Sequence, residues 1–243
     1  MKKHPALKRL AQFVLRGGRR RSGPAGHLES RPRCILFDFD GTLGDTFEVG
    51  VEILNALAGE FGFRGLPQCD VEHARDLSTR ELMSHLGIPQ MKLHRISKRG
   101  TEEITKRIMG IHPFPRIPAM LRELERGDVQ LGVLTSNSER NVRAFLKNHE
   151  LEVFDFIKSS SKLLGKSRVL RALMKEYGFA PREILFIGDE LRDIEAAHEV
   201  GVHMAAVTWG YNSTAALKAA GPDYMIGDPM DICALVAGQD KTT

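Results

Sequence analysis

Along the chain, short apolar runs alternate with stretches in which apolar residues recur at helical spacing. Runs at Cys34–Phe39, Val129–Thr135, Phe154–Ser159, Ile184–Gly188 and His203–Val207 each end in small or polar residues, and Tyr224–Ile226 is a weaker sixth. Their length and apolar character predict buried strands. Ser138–His149, Ser167–Tyr177 and Leu191–Val200 carry the 3.6-residue period of amphipathic helices. Strands alternating with helices imply parallel pairing through crossovers, hence an α/β, doubly wound, Rossmann-like sheet.

The interval between Phe39 and Val129 breaks this rhythm, because it holds no clear strand. Thr46–Phe61, Glu72–Leu86 and Leu93–Met109 are periodic there, which predicts a small helical cap inserted after the first strand. Gly41-Thr42-Leu43-Gly44 marks the exit from the sheet, and Pro113, Pro115 and Pro118 mark the return. The expected domains are a core of residues 33–44 and 113–243 and a cap of residues 45–112. Gly44 is expected to add backbone freedom at the cap entry.

Charge changes the picture at the N-terminus. Residues 1–33 hold ten Lys/Arg against Glu29 alone, a net +9, whereas the other 210 residues sum to −5. The formal +4 therefore belongs to a tail. Residues 1–32, rich in Arg, Gly and Pro, have little to bury and read as disordered. The acidic body argues against nucleic acid as a partner outside that tail. Cys34, Cys69 and Cys233 are odd in number and widely spaced, which argues against a disulfide framework or zinc site and fits a reducing cytoplasm. No apolar run approaches the length of a membrane span. The nine histidines form no ligand-spaced cluster.

Ligands of open α/β sheets bind at the carboxyl ends of the strands. Here those ends carry Asp38-Phe39-Asp40-Gly41-Thr42, Thr135-Ser136-Asn137 and Gly188-Asp189-Glu190, with Asp193 following and Gly165-Lys166 opening a helix. Each of these alone is common in turns and caps. Together they place Asp38, Asp40 and Asp189 where clustered carboxylates require a cation, and all-oxygen ligands beside a phosphate suit Mg²⁺. Thr135, Asn137 and the Ser136 amide offer uncharged donors to phosphate oxygens, and Lys166 offers a compact positive charge. Lys162 is an alternative four residues earlier, but Lys166 follows a glycine and opens an amphipathic helix.

From Arg33 to Ala237 the chain resembles the haloacid dehalogenase superfamily, in its phosphoglycolate-phosphatase-like branch with a helical cap. The match is carried by DFDGTLGDTF (Asp38–Phe47), LTSN (Leu134–Asn137), GKS (Gly165–Ser167) and GDELRD (Gly188–Asp193). The resemblance implies that Asp38 is the nucleophile and Asp40 the general acid and base. It implies that Mg²⁺ is held by the carboxylates of Asp38 and Asp189 and the carbonyl of Asp40, with Asp193 supporting the metal site and Lys166. Thr135, Ser136 and Asn137 would hold the phosphate. Asp40 separates this pattern from the dehalogenases, which have no alkoxide to protonate.

In the cap, Ala74–Arg80 resembles the loop that such proteins lower onto the site, making Arg75 and Arg80 candidates to meet a substrate anion. Arg95, Lys98, Arg99, Lys106 and Arg107 read as a solvated basic face. The expected activity is hydrolysis of a small phosphorylated metabolite, phosphoglycolate first among them. The alternatives are a phosphosugar mutase of the same branch and a non-catalytic binding protein using its basic tail. Monomer and homodimer are equally compatible with the sequence.

Overall fold

A computed structural model describes residues 28, 31–160 and 165–237, so the basic tail up to His27 and Lys162 lie outside the described residues. Six strands form one parallel sheet: β1 (Cys34–Phe37), β2 (Gln130–Thr135), β3 (Phe156–Ser159), β4 (Ile184–Gly188), β5 (His203–Val207) and β6 (Tyr224–Ile226), in the order β3-β2-β1-β4-β5-β6. Every neighbouring pair is parallel. The predicted doubly wound α/β sheet is therefore what the chain forms.

Alternation along the strands explains the two layers of helices. Ile35 and Phe37 point into one core with α5 (Ile117–Glu125), α6 (Glu139–Asn148) and α10 (Pro229–Ala237). Cys34 and Leu36 point into the other with α7 (Lys166–Tyr177), α8 (Leu191–Val200) and α9 (Thr214–Ala220). Side chains at successive strand positions must face opposite ways, so a central strand that is apolar throughout feeds both layers. Leu28, which the sequence reading assigns to the tail, is buried in the first of these cores.

Four helices lie between β1 and α5: α1 (Phe47–Phe61), α2 (Val71–Arg75), α3 (Thr79–His85) and α4 (Leu93–Arg107). Their apolar faces make two small clusters, one around Ile53, Leu57, Phe61 and Ile96 and one around Leu66, Val71, Ala74 and Leu86. The chain enters and leaves this region side by side, with Gly44 bridged antiparallel to Pro113 and the Asp45 amide donating to His112 O at 2.9 Å.

Several expectations need correction. Glu72–Leu86 is two helices, because the chain breaks at Asp76-Leu77-Ser78 and restarts under a capping box built by Ser78 and Glu81. The first strand stops at Phe37, since Phe39 O instead accepts the amides of Thr42, Leu43 and Gly44 in a turn. Gly44 is packed rather than free: a Cβ there would lie 3.2 Å from the Phe39 ring. Pro118, one of the three prolines expected to mark the return from the inserted helices, sits in the first turn of α5.

Candidate active site

Strand order places the site. After β1 the chain moves to β2 on one side, and after β3 it returns to β4 on the other, so the carboxyl end of β1 faces a crevice at the switch point. Asp38 follows β1 directly, its amide donating to Ile187 O of β4 at 2.8 Å. Its carboxylate is fully buried. Lys166, the first residue of α7 and 4 % exposed, brings Nζ to 2.5 Å from Asp38 Oδ2 and 2.6 Å from Asp193 Oδ1. Burial raises the pKa of Asp38 against the opposing pull of Lys166 and Arg192. Burial also penalises the Lys166 ammonium, but Asp193 and Asp38 outweigh it and hold the lysine charged.

Asp189, at the end of β4, has a different environment. It accepts from Thr42 Oγ1 at 2.6 Å and from the Tyr211 amide at 2.8 Å, both uncharged donors. Among the described residues no cation lies within ion-pair distance of it. Burial, then the charges of Glu190, Asp38 and Asp193, push its carboxyl well above the usual carboxylate range. Space around it is closed by two glycines. A Cβ at Gly41, which has φ 79°, would lie 2.2 Å from Asp189 Oδ2, and one at Gly210 would lie 2.3 Å from the same atom.

Oxygens of Asp38, Asp189 and Asp193 all lie within 4.8 Å of one another. Lys166 neutralises Asp38 and Asp193 on one side, and among the described residues nothing performs that task for Asp189. This donor set of buried carboxylate oxygens with one uncompensated charge fits a hard divalent cation such as Mg²⁺.

On the far side of β1, the Thr135 hydroxyl accepts the Asn137 amide at 2.9 Å, which leaves its proton for an incoming acceptor. Asn137 is turned differently from the expectation of a phosphate donor: its Nδ2 faces Asp40, at 3.1 and 3.2 Å from the two carboxylate oxygens. Ser136 Oγ accepts from Arg192 Nη2 at 3.2 Å. Arg192, on which sequence reasoning placed no role, also forms an ion pair with Glu190. Its only sequence signal is its place between Asp189 and Asp193, on the helix turn that faces the crevice.

Of the two arginines expected to meet a substrate anion, Arg75 lines the cavity above the site and Arg80 is exposed on the surface. Arg75 is already engaged, donating from Nη2 to Gly210 O at 2.9 Å with its guanidinium 5.0 Å from the Phe47 ring centroid. The loop around it is fastened to the sheet by a residue the sequence did not single out. Asn212 Nδ2 donates to Arg75 O at 2.8 Å and Leu77 O at 3.0 Å, while its Oδ1 accepts from the Leu191 amide at 2.9 Å. Beneath the helices lies a cavity of about 310 Å³, with Asp40, Ser136, Asn137 and Arg192 in its floor and Leu and Ile side chains in its walls.

No helix among the described residues is long and apolar enough to cross a membrane. The family model described as haloacid dehalogenase-like hydrolase matches residues 35–207. A Synechococcus elongatus protein named phosphoglycolate phosphatase is 34% identical over 205 residues, covering 84% of this chain and 97% of that one. Pyrophosphatase PpaX of Oceanobacillus iheyensis is 27% identical, over 84% of this chain and 96% of its own length. Among solved structures, a predicted phosphatase from Clostridium acetobutylicum superposes with a TM-score of 0.74 at 22% identity, covering 86% of this chain and all of that one. With that family model spanning most of its folded length, the chain belongs to the haloacid dehalogenase-like hydrolases.

Proposed function

We propose that this enzyme hydrolyses a small phosphate monoester through a phospho-aspartate on Asp38. The observation that carries the reading is a buried carboxylate ion-paired to Lys166, two residues before Asp40 on the same strand end. The lysine's charge favours the ionised form of Asp38 against the burial that opposes it, and that form has a lone pair available for attack on phosphorus. As the Asp38 oxygen bonds to phosphorus, the ester oxygen leaves, and Asp40 gives it a proton. Asp40 then takes a proton from water, which attacks the same phosphorus and frees Asp38 and inorganic phosphate. Thr135 and the Ser136 amide hold the non-reacting phosphoryl oxygens, and Lys166 offsets their charge.

Asp38, Asp189 and the carbonyl of Asp40 would hold Mg²⁺, which when bound supplies positive charge to the phosphoryl oxygens. Asp193 holds Lys166 in place. Residues 45–112 act as a cap over a core of residues 33–44 and 113–243, and Asn212 fastens its loop. The cavity volume limits the ester to a metabolite-sized alcohol. Phosphoglycolate is the favoured substrate, supported by the name of the 34% identical relative. Arg75 is the cap residue best placed to meet its carboxylate, since Arg80 stands away from the cavity.

Phosphate release from a panel of small esters, with and without Mg²⁺, tests this. Wild type should turn over only with the metal, and Asp38→Asn should lower the rate by about 10³-fold or more. Undiminished turnover by Asp38→Asn would remove the nucleophile from the scheme.

A further inference from the structure

A carboxamide is nearly symmetric in shape, so something must decide which end of Asn137 meets Asp40. Asn137 Oδ1 accepts from the Ser138 amide at 2.8 Å and from Asn141 Nδ2 at 2.9 Å. Two donors at that end turn the NH₂ toward Asp40, where it lies 3.1 and 3.2 Å from the carboxylate oxygens. Reversal would set an amide oxygen against a carboxylate and leave both donors without an acceptor.

Asn141 is buried in the first turn of α6, with its own amide capped by Ser138 Oγ at 3.2 Å. The other end of its carboxamide is fixed from across the crevice. Thr105 Oγ1 of α4 lies 3.0 Å from Asn141 Oδ1. That hydroxyl has one proton and also lies 2.8 Å from Thr101 O, so the backbone of α4 competes for it. A continuous chain thus runs from the inserted helices to the sheet: Thr105, Asn141, Asn137, Asp40.

We propose that Asn141 is a positioning residue for Asp40, and that Thr105 makes Asp40's alignment depend on α4 being seated over the site. The inference rests on the reading of Asp40 as the proton donor to the leaving alkoxide. A donor must be within hydrogen-bond reach of that oxygen, and displacement by about an ångström costs one to two orders of magnitude. Seating the helices would align the acid only once the site is covered, which links proton donation to exclusion of water.

The test measures alcohol release in the first turnover, with Mg²⁺, from an alkyl phosphate and from p-nitrophenyl phosphate. The alkoxide needs a proton and the nitrophenolate does not. Full-length Asn141→Leu should slow release from the alkyl ester about tenfold. Release of nitrophenol and the KM of both esters should stay within about twofold. Thr105→Val should shift the ratio in the same direction, and Thr105→Ser should restore it. If Asn141→Leu does not fold by its melting transition, the Thr105 pair carries the test alone. Equal slowing of both esters, or a rise in KM alone, would overturn the positioning role. Asp40→Asn separates the two ideas. If it discriminates between the esters while Asn141→Leu and Thr105→Val do not, the relay fails and the reading of Asp40 stands. If Asp40→Asn fails to discriminate, the proton-donor reading itself falls.

Discussion

Arg192 shows how far a single side chain is determined by its neighbours rather than by its position in a motif. Its Nη2 is shared between Ser136 Oγ and Glu190, and its charge is among those that oppose the burial of Asp38. Removing it would leave Glu190 as an uncompensated charge at the rim and loosen the Ser136 side chain. Hydrogen bonds to charged groups contribute about 1.5–3 kcal/mol. Arg192→Gln should therefore lower kcat/KM by about ten- to a hundredfold. Steady-state kinetics on the best ester of the panel check this, and an unchanged kcat/KM would reduce Arg192 to a surface-facing partner of Glu190. The residues at the ends of strands were legible because clustered carboxylates and a glycine-preceded lysine are unusual chemistry. Arg192, Asn141 and Asn212 were not, since their roles depend on partners 56, 36 and 137 positions away.

At the scale of elements, the sheet was legible and the inserted helices less so. Buried parallel strands read as unbroken apolar runs, and all six are present with ends moved by no more than two residues. The periodicity of Glu72–Leu86 concealed a break, because apolar residues continue through Leu77 while Ser78 silently restarts the helix. In that box the Ser78 amide donates to Glu81 Oε2 at 2.9 Å and the Ser78 hydroxyl at 2.7 Å, and these bonds lower the Glu81 pKa. A carboxylate whose pKa is depressed by folding stabilises the fold above its ordinary value and loses that effect as pH falls through the folded value. Glu81→Gln should thus melt below wild type at pH 7, and the gap should close as pH drops below about 4. Thermal melts of both proteins from pH 3 to 7 measure it. A gap independent of pH would show that the glutamine's shape, not its missing charge, is at fault.

For the molecule as a whole, the two layers of helices, the strand order and the position of the helices inserted after β1 converge on one place where burial has left charge unbalanced. Asp38, Asp189 and Asp193 are all fully buried, and the single ammonium of Lys166 serves the first and third. Folding therefore carries a repulsive cost at Asp189 that a bound cation would relieve. A ligand that binds only the folded state at about 100 times its Kd adds about 2.7 kcal/mol. For a domain of this size that is a rise in melting temperature of about 5–10 °C. Titrating Mg²⁺ into wild type should produce such a rise. Asp189→Asn should behave in the opposite way twice over: more stable than wild type without metal, because the repulsion is gone, and indifferent to Mg²⁺. A wild-type melt that ignores millimolar Mg²⁺ would remove the cation from this account of Asp189.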